Sequence, residues 1–127
     1  NVAPQNIENL FINDELIEKV VVYGDQHKYL VALVTLQPPA LAALAEEQGL
    51  TSIPQDNLVR HPAVVSAVER SMEEANRHLA SFETIKAFWI SPTPLTVENG
   101  LMTPSMKVKR KAVYERFREP LEALYRR

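Results

Sequence analysis

Residues 17–36 read "IEKVVVYGDQHKYLVALVTL", two apolar, β-branched runs separated by Gly24, Asp25, Gln26 and His27. Turn-forming residues between two such runs predict an antiparallel β-hairpin. Both runs are apolar at nearly every position, which favours a sheet covered on both faces over one with a solvated side. The rest of the chain must therefore supply helices for two faces of a small sheet.

Apolar periodicity on either side of this hairpin supplies such helices. Positions spaced by three or four residues predict helices, and a short β-rich run predicts one further strand. The predicted helices cover residues 3–14, 38–49, 62–79 and 109 to near the end, and the strand covers residues 84–91. We expect an α+β fold in one domain.

The C-terminal quarter carries two further predictions. The Asn99-Gly100 dipeptide favours a turn with positive φ, so "LTV" (95–97) and "LMT" (101–103) are interpreted as the arms of a second hairpin. In the final helix the expected buried stripe is Val113, Phe117, Leu121 and Leu124. Pro120 is expected to kink that helix.

Composition is that of a folded globular protein of 127 residues, with 46% hydrophobic and 24% charged residues. The chain has no cysteine, which excludes a disulfide framework and a thiolate metal site and favours a reducing compartment. It has no apolar run long enough to span a bilayer, so we expect a cytoplasmic protein. The first residue is not methionine, which suggests a processed protein or a fragment of a longer one.

Charge is distributed unevenly along the chain. Residues 1–104 carry a formal charge of −7 and residues 105–127 carry +5. On charge alone, the basic end could contact phosphates, nucleic acid or an acidic membrane surface. The three glycines are not grouped into a phosphate loop, and His27, His61 and His78 are isolated from one another, so we expect no metal site and no complete enzyme active site.

Three stretches resemble a known family. The segment "LTVENGLMTPSMKVKRKAVYERFREPLEALY" (95–125) is similar to the C-terminal end of long-chain acyl-CoA synthetases, which are members of the adenylate-forming superfamily. "NVAPQNIEN" (1–9) resembles the recurring N-V-x-P-x-x-I-E pattern that opens the small C-terminal domain of those enzymes. "VVVYGDQHKYLVALV" (20–34) resembles the hairpin between them. The resemblance covers nearly the whole chain, in family order.

This resemblance implies the small, moving C-terminal domain of a long-chain fatty-acid–CoA ligase, whose large N-terminal domain lies outside these residues. It implies that the full enzyme uses ATP, Mg²⁺ and CoA with a fatty acid, and that this domain alone binds none of them tightly and is inactive. The pattern [T]-x-[S/T]-x-K falls on Thr103, Ser105 and Lys107, which makes Lys107 the expected adenylation lysine. Lys109, Arg110 and Lys111 are expected to contact CoA, the large domain or solvent.

Elementary electrostatics agrees with that role for Lys107. Adenylation joins a carboxylate to a triphosphate, so a positioned cation lowers the repulsion between two anions. A lysine is a compact charge on a flexible stem. An arbitrary basic run is more often only a solvated surface. Met106 departs from the wider superfamily, where many members have glycine before the lysine.

Two other functions stay open on the residues alone. The basic C-terminal helix could dock on nucleic acid, although it lacks an aromatic stacking surface and the family resemblance implies no nucleic-acid partner. It could also lie on a membrane surface, since the apolar stripe is accompanied by Arg116, Arg118, Arg126 and Arg127. Peripheral membrane contact is compatible with a lipid substrate.

Overall fold

A three-stranded sheet lies at the centre of the computed structural model, within the described residues 2–24 and 26–126. Asn1, Asp25 and Arg127, which the sequence analysis names, lie outside the described residues. The strands are β1 (Ile17–Tyr23), β2 (Leu30–Leu36) and β3 (Ile85–Ile90), in the order β1-β2-β3.

The predicted hairpin is confirmed as the antiparallel pair β1 and β2, with Val21 opposite Leu33. Its turn needs backbone conformations that favour glycine, with φ of +116° at Gly24 and +80° at Gln26. The predicted strand β3 pairs with β2 in parallel, with Ala32 beside Phe88. A parallel neighbour requires a long crossover, and residues 37–84 provide it.

Helices flank the sheet where the apolar periodicity predicts them. Several of them begin with proline, whose fixed φ and missing N–H suit the first turn. The α-helices are α1 (Pro4–Glu8), α2 (Pro38–Glu47), α3 (Gln55–Leu58), α4 (Pro62–Asn76), α5 (Arg110–Arg116) and α6 (Arg118–Ala123). Short 3₁₀ turns follow at Asn9–Phe11, Ser81–Glu83 and Leu124–Arg126. The four-residue α3 has no counterpart among the predictions.

Side chains of β1 and β2 alternate between two hydrophobic cores, one on each face of the sheet. On the first face, Val20, Val22, Ala32 and Val34 pack with residues of α1, α2 and α4. On the second face, Val21, Val31 and Leu33 pack with the segment after β3; its buried members are Leu95, Leu101, Met102, Val113, Phe117 and Leu121. The prediction of a sheet covered on both faces is therefore confirmed.

The final helix is interrupted as Pro120 predicts. Helix α5 ends at Arg116 and α6 begins at Arg118, with Phe117 between them at φ −112° and ψ 21°. Pro120 has no N–H to donate to the carbonyl of Arg116, and its ring would clash with that group in a continuous helix. The break still leaves Val113, Phe117 and Leu121 buried on one face, with Leu124 partly buried beside them.

The second predicted hairpin is wrong in its placement. Residues 95–97 and 101–103 do not pair as strands: Leu101 N and Met102 N both donate to the Thr96 carbonyl at 3.0 Å, while side chains take up other backbone groups of the turn. Thr96 Oγ1 accepts a hydrogen bond from Asn99 N, and Asn99 Oδ1 accepts one from Thr96 N, each at 3.0 Å. The bridge that does form joins Met102 to Val108, so the hairpin is shifted towards Lys107.

Candidate functional site

Lys107 lies in a short hairpin loop closed by the chain on either side of it. Thr103 N donates to the Lys107 carbonyl at 2.7 Å, and Met106 N donates to the Thr103 carbonyl at 2.8 Å. The Thr103 hydroxyl accepts a further bond from Lys107 N at 3.0 Å and lies 3.0 Å from Ser105 Oγ. Thr103 and Ser105, the residues that match the family pattern, therefore shape the loop that presents Lys107.

Met106 occupies the position where this loop turns back. Its φ is +68°, in the left-handed region that a three-residue hairpin loop needs at its last position and that glycine adopts most easily. This geometry explains why a glycine before the lysine suits such a loop. Met106 keeps the conformation with a side chain that is 62% exposed.

Arg110 ties the base of the loop to the opposite end of the chain. Its Nη1 and Nη2 donate to the two carboxylate oxygens of Glu8 at 2.6 and 2.8 Å. The hydrogen bond to Glu8 raises the pKa of Arg110, against the opposing effect of its partial burial. Since Glu8 belongs to the opening motif and Arg110 to the basic run, two stretches that share the family resemblance meet here.

Glu8 and Tyr114 together satisfy the outward-facing backbone of Val22, on the edge strand β1. Glu8 Oε2 accepts from Val22 N at 2.7 Å, and the Tyr114 hydroxyl donates to the Val22 carbonyl. An unpaired strand edge is a site for unwanted association, so these side chains also protect the sheet. Sequence reasoning missed Glu8, because its partner Arg110 is 102 residues away.

Lys107, Glu8 and Arg110 line one groove of about 530 Å³ between α1, the start of β1 and the loop. Lys107 is exposed. Ile12 and Met106 also border the groove and are 71% and 62% exposed. Glu18 and Lys19 line the groove as well, the first exposed and the second partly buried, so the site offers the exposed Lys107 beside a small apolar surface and an exposed carboxylate.

The other predicted site residues have different surroundings. Lys109 and Lys111 are exposed, and neither is among the residues that line this groove. Lys109 N donates to the Leu101 carbonyl at 2.8 Å, so its backbone is fixed while its side chain faces solvent. Arg110 is instead half-buried through its pairing with Glu8.

A second cluster, which the sequence analysis did not identify, joins the β1–β2 turn to the C-terminal helices. It contains all four tyrosines of the chain together with His27 and Glu122: Tyr23, Tyr29, Tyr114 and Tyr125 are linked by ring contacts or hydrogen bonds. Glu122 accepts hydrogen bonds from the Tyr23 hydroxyl and lies 3.0 Å from His27 Nε2. The bond from Tyr23 is the main cause that lowers the pKa of Glu122.

The remaining histidines also have local explanations. His61 Nδ1 accepts from Ala63 N at 3.1 Å and so caps α4, and His78 Nε2 lies 3.3 Å from a Glu74 carboxylate oxygen. Within residues 2–24 and 26–126, no three His, Asp or Glu side chains are grouped as metal ligands. In the same described ranges, no helix combines the length and apolar character that crossing a membrane requires.

The sequence matches a known family over its whole length. The profile of the family described as AMP-binding enzyme C-terminal domain matches residues 1–127. The long-chain-fatty-acid–CoA ligase FadD15 of Mycobacterium tuberculosis is 33% identical over 98% of this chain. The human long-chain-fatty-acid–CoA ligase 6 is 34% identical over 98% of it. The chain spans only 21% and 18% of the lengths of these two relatives.

Solved structures agree in fold. The A-PCP didomain of carboxylic acid reductase from Segniliparus rugosus, in complex with AMP, superposes with a TM-score of 0.76 at 33% identity, covering 98% of this chain and 16% of that chain. The adenylation domain of a carboxylate reductase from Mycobacterium chelonae gives a TM-score of 0.77 at 29% identity, covering 99% of this chain and 18% of that one.

Proposed function

This chain belongs to the family of AMP-binding enzyme C-terminal domains, and from that premise we propose that it serves a long-chain fatty-acid–CoA ligase as its C-terminal domain. The observation that carries the proposal is Lys107, an exposed cation on a loop that its own motif residues close. The curated relatives named above, which are CoA ligases, support the choice of activity.

The proposed role of Lys107 is to stabilise negative charge during adenylation. A fatty-acid carboxylate attacks the α-phosphate of ATP, forming acyl-adenylate and releasing pyrophosphate, and the thiol of CoA then displaces AMP. Lys107 Nζ would contact both reacting anions in the first step, where a preorganised cation is most effective. The domain then rotates, so that Lys107 leaves and another face contributes to the thioester-forming site.

The residues of this chain fit some of the implied cofactors better than others. An exposed lysine suits the phosphates and carboxylate of the adenylation step, and exposed Lys109 and Lys111 suit the phosphates of CoA. The contact of Arg110 with CoA stays a prediction. Both terminal nitrogens of its guanidinium already donate to Glu8. We assign Mg²⁺, the fatty-acid pocket and the adenine pocket to the large domain of the same polypeptide.

A second candidate keeps the adenylation step and changes the acceptor. The matching solved structures come from carboxylic acid reductases, so this domain could serve an enzyme whose acyl group goes to a carrier-protein thiol. Free CoA and a phosphopantetheinylated carrier protein, offered separately to the acyl-adenylate, discriminate the two. We expect thioester formation with CoA; transfer only to the carrier would favour the reductase.

The membrane alternative has a structural cost. Val113, Phe117 and Leu121 are buried against the sheet. These side chains could enter a bilayer only if the hydrophobic core on the second face of the sheet opened. Co-sedimentation with anionic liposomes and heparin binding at low salt test the membrane and nucleic-acid alternatives. We expect little of either at physiological salt.

The test of the proposal separates the two half-reactions in the full-length ligase that carries this domain. Lys107→Ala should lower acyl-adenylate formation by about 10²–10³-fold, the usual range for a lost transition-state donor. Transfer from preformed acyl-adenylate to CoA should be nearly unchanged, because Lys107 is then away from the reacting atoms. ATP–pyrophosphate exchange and single-turnover transfer measure the two steps.

Lys109→Ala is the matched control, since Lys109 is also exposed but lies two residues beyond the loop. It should keep most of the adenylation activity. A severe loss in Lys109→Ala with none in Lys107→Ala would show that the motif is misaligned by two positions. An equal loss of both half-reactions in Lys107→Ala would overturn the proposed division between them.

A further inference from the structure

The Glu8 carboxylate is the most fully engaged acidic group near Lys107. Its side chain is 11% exposed, and its two oxygens accept three hydrogen bonds, from Val22 N at 2.7 Å and from Arg110 at 2.6 and 2.8 Å. The bond to Val22 fixes Glu8 to strand β1. The fork to Arg110 fixes the first residue of α5 to the same point.

The chain between Arg110 and Lys107 is short and braced. Lys107 is three residues before Arg110, Lys109 N is bonded to the Leu101 carbonyl, and the loop itself is closed between Thr103 and Lys107. Backbone hydrogen bonds therefore restrain the chain between Lys107 and Arg110, and the Glu8 pair restrains the Arg110 side chain. A shift of the Arg110 backbone relative to the sheet would therefore be passed to the Lys107 loop through this restrained segment.

We propose that Glu8 is a positioning residue for adenylation: by holding Arg110 against β1, it sets the position from which Lys107 reaches the reacting carboxylate and α-phosphate. This inference rests on the proposed role of Lys107. Glu8 itself touches no substrate in this scheme. Its effect passes through Arg110 and the loop.

Physical chemistry favours a geometric role over a purely stabilising one. As a whole, a partly buried ion pair adds little net stability, because desolvation of both charges offsets their attraction, although removal of one partner is costly because it leaves the other charge unpaired. What the bidentate arginine–carboxylate pair supplies is direction, since the planar fork accepts one orientation. A misplacement of about 1 Å at a reacting group is enough to lower a rate by about 10²-fold.

The experiment uses the full-length ligase with Glu8→Gln. This substitution keeps the size of the side chain, removes its charge and replaces one of the two oxygens that accept hydrogen bonds from Arg110. Adenylation turnover should fall by about 10- to 10²-fold, as expected for a displaced catalytic group. The KM for ATP and the transfer from preformed acyl-adenylate to CoA should stay near their original values. Glu15→Gln, at an exposed glutamate just before β1, is the matched control and should change neither step.

A double-variant cycle separates positioning from general destabilisation. If Glu8 acts through Lys107, Glu8→Gln should lower adenylation no further in a Lys107→Ala background. Arg110→Gln should reproduce the loss seen in Glu8→Gln, and the two together should be no worse than either alone. Multiplying losses in either cycle would overturn the inference.

The outcomes also distinguish this inference from the proposed function on which it rests. If Lys107→Ala leaves adenylation intact, the proposed function fails and the inference fails with it. If Lys107→Ala is crippling but Glu8→Gln is harmless, only the positioning role of Glu8 is overturned. If Glu8→Gln slows both half-reactions equally, Glu8 supports the fold alone and the inference is again overturned.

Discussion

At the scale of single residues, Met106 carries the conformational strain of the Lys107 loop. Its φ of +68° places a side chain where the left-handed conformation costs about 1 kcal/mol or more. Because Met106 is mostly exposed, it offsets little of this with buried contacts. The hydrogen bonds of Thr103 therefore hold the loop in its shape, although the conformation of Met106 is strained.

Met106→Gly should relieve this strain and raise the free energy of unfolding of the domain by up to about 1 kcal/mol, less the added freedom of glycine in the unfolded chain. Urea unfolding measures the change. Ser105→Gly is the neighbouring control, because φ at Ser105 is not positive, and it should be neutral or destabilising. A Met106→Gly variant less stable than the original would contradict the strain.

Gly24 is the residue on which the β1–β2 turn depends. A Cβ atom there would overlap the Tyr125 hydroxyl and lie 2.8 Å from the Tyr29 carbonyl oxygen, at a φ of +116°. Gly24→Ala should therefore lower the free energy of unfolding by about 2 kcal/mol or more, since it combines backbone strain with overlap. Chemical denaturation of the isolated domain checks this.

Gly49→Ala provides the comparison for that prediction. Gly49 also has a positive φ, of +69°, but nothing lies within 4 Å of the added Cβ. Gly49→Ala should therefore lower the free energy of unfolding only through backbone strain, by about 1 kcal/mol. Equal losses for the two variants would show that the close packing of Tyr125 on the turn is unimportant.

At the scale of elements, the docking of α6 and of the 3₁₀ turn after it on the β1–β2 turn depends on tyrosines that must stay protonated. Burial, together with the hydrogen bond to Glu122, raises the pKa of Tyr23 from 10.0 to about 12. Burial is also the main cause that raises the pKa of Tyr125. The folded state thus binds these protons more tightly than the unfolded chain does.

The sign of the resulting pH dependence follows from linkage. The contribution of Tyr23 is complete below pH 10 and is lost as pH rises towards 12, because the unfolded chain ionises first. We expect the free energy of unfolding to fall over this range in urea titrations at successive pH values. Tyr23→Phe should make the fall shallower, with the remainder due to Tyr125. An unchanged slope in Tyr23→Phe would show that Tyr23 is not the group responsible.

Much of the arrangement of elements is predictable because it depends on local patterns. Three features follow from residues close together in the chain: the hairpin with apolar side chains on both faces, the buried stripe of the last helix and the break at Pro120. The parallel partner of β2 and the Glu8–Arg110 pair do not, because they join residues far apart and periodicity carries no information on such contacts. The hairpin at 95–103 was misplaced since Asn99 and Thr96 hydrogen-bond to each other's backbone, a competition that the dipeptide Asn-Gly alone does not reveal.

At the scale of the whole molecule, two cores share one sheet, so neither can be lost alone. Val21 and Val22 are neighbours in β1 and belong to different cores. We expect the isolated domain to unfold in one cooperative transition, with calorimetric and van't Hoff enthalpies in agreement. Separate transitions for helices α2–α4 and for the C-terminal segment would contradict this coupling.

The isolated domain should also show no ATP–pyrophosphate exchange with any fatty acid. Lys107 supplies one cation, and the pockets that we assign to the large domain are needed to bring the two anions together. Exchange that persists after the domain is purified free of full-length ligase would contradict the proposed division of the enzyme. Addition of the large domain as a separate chain is the corresponding test of recovery.

The burial of β2 has a consequence for amide hydrogen exchange. All seven of its residues are buried, and it is hydrogen-bonded to a strand on each side. Its amide protons should therefore reach solvent only when the entire domain opens, whereas those of frayed ends exchange through small local openings. In a full-length ligase, where a thermal scan sums the transitions of every domain, the exchange rate of the peptide 30–36 would report the free energy of opening of this domain by itself.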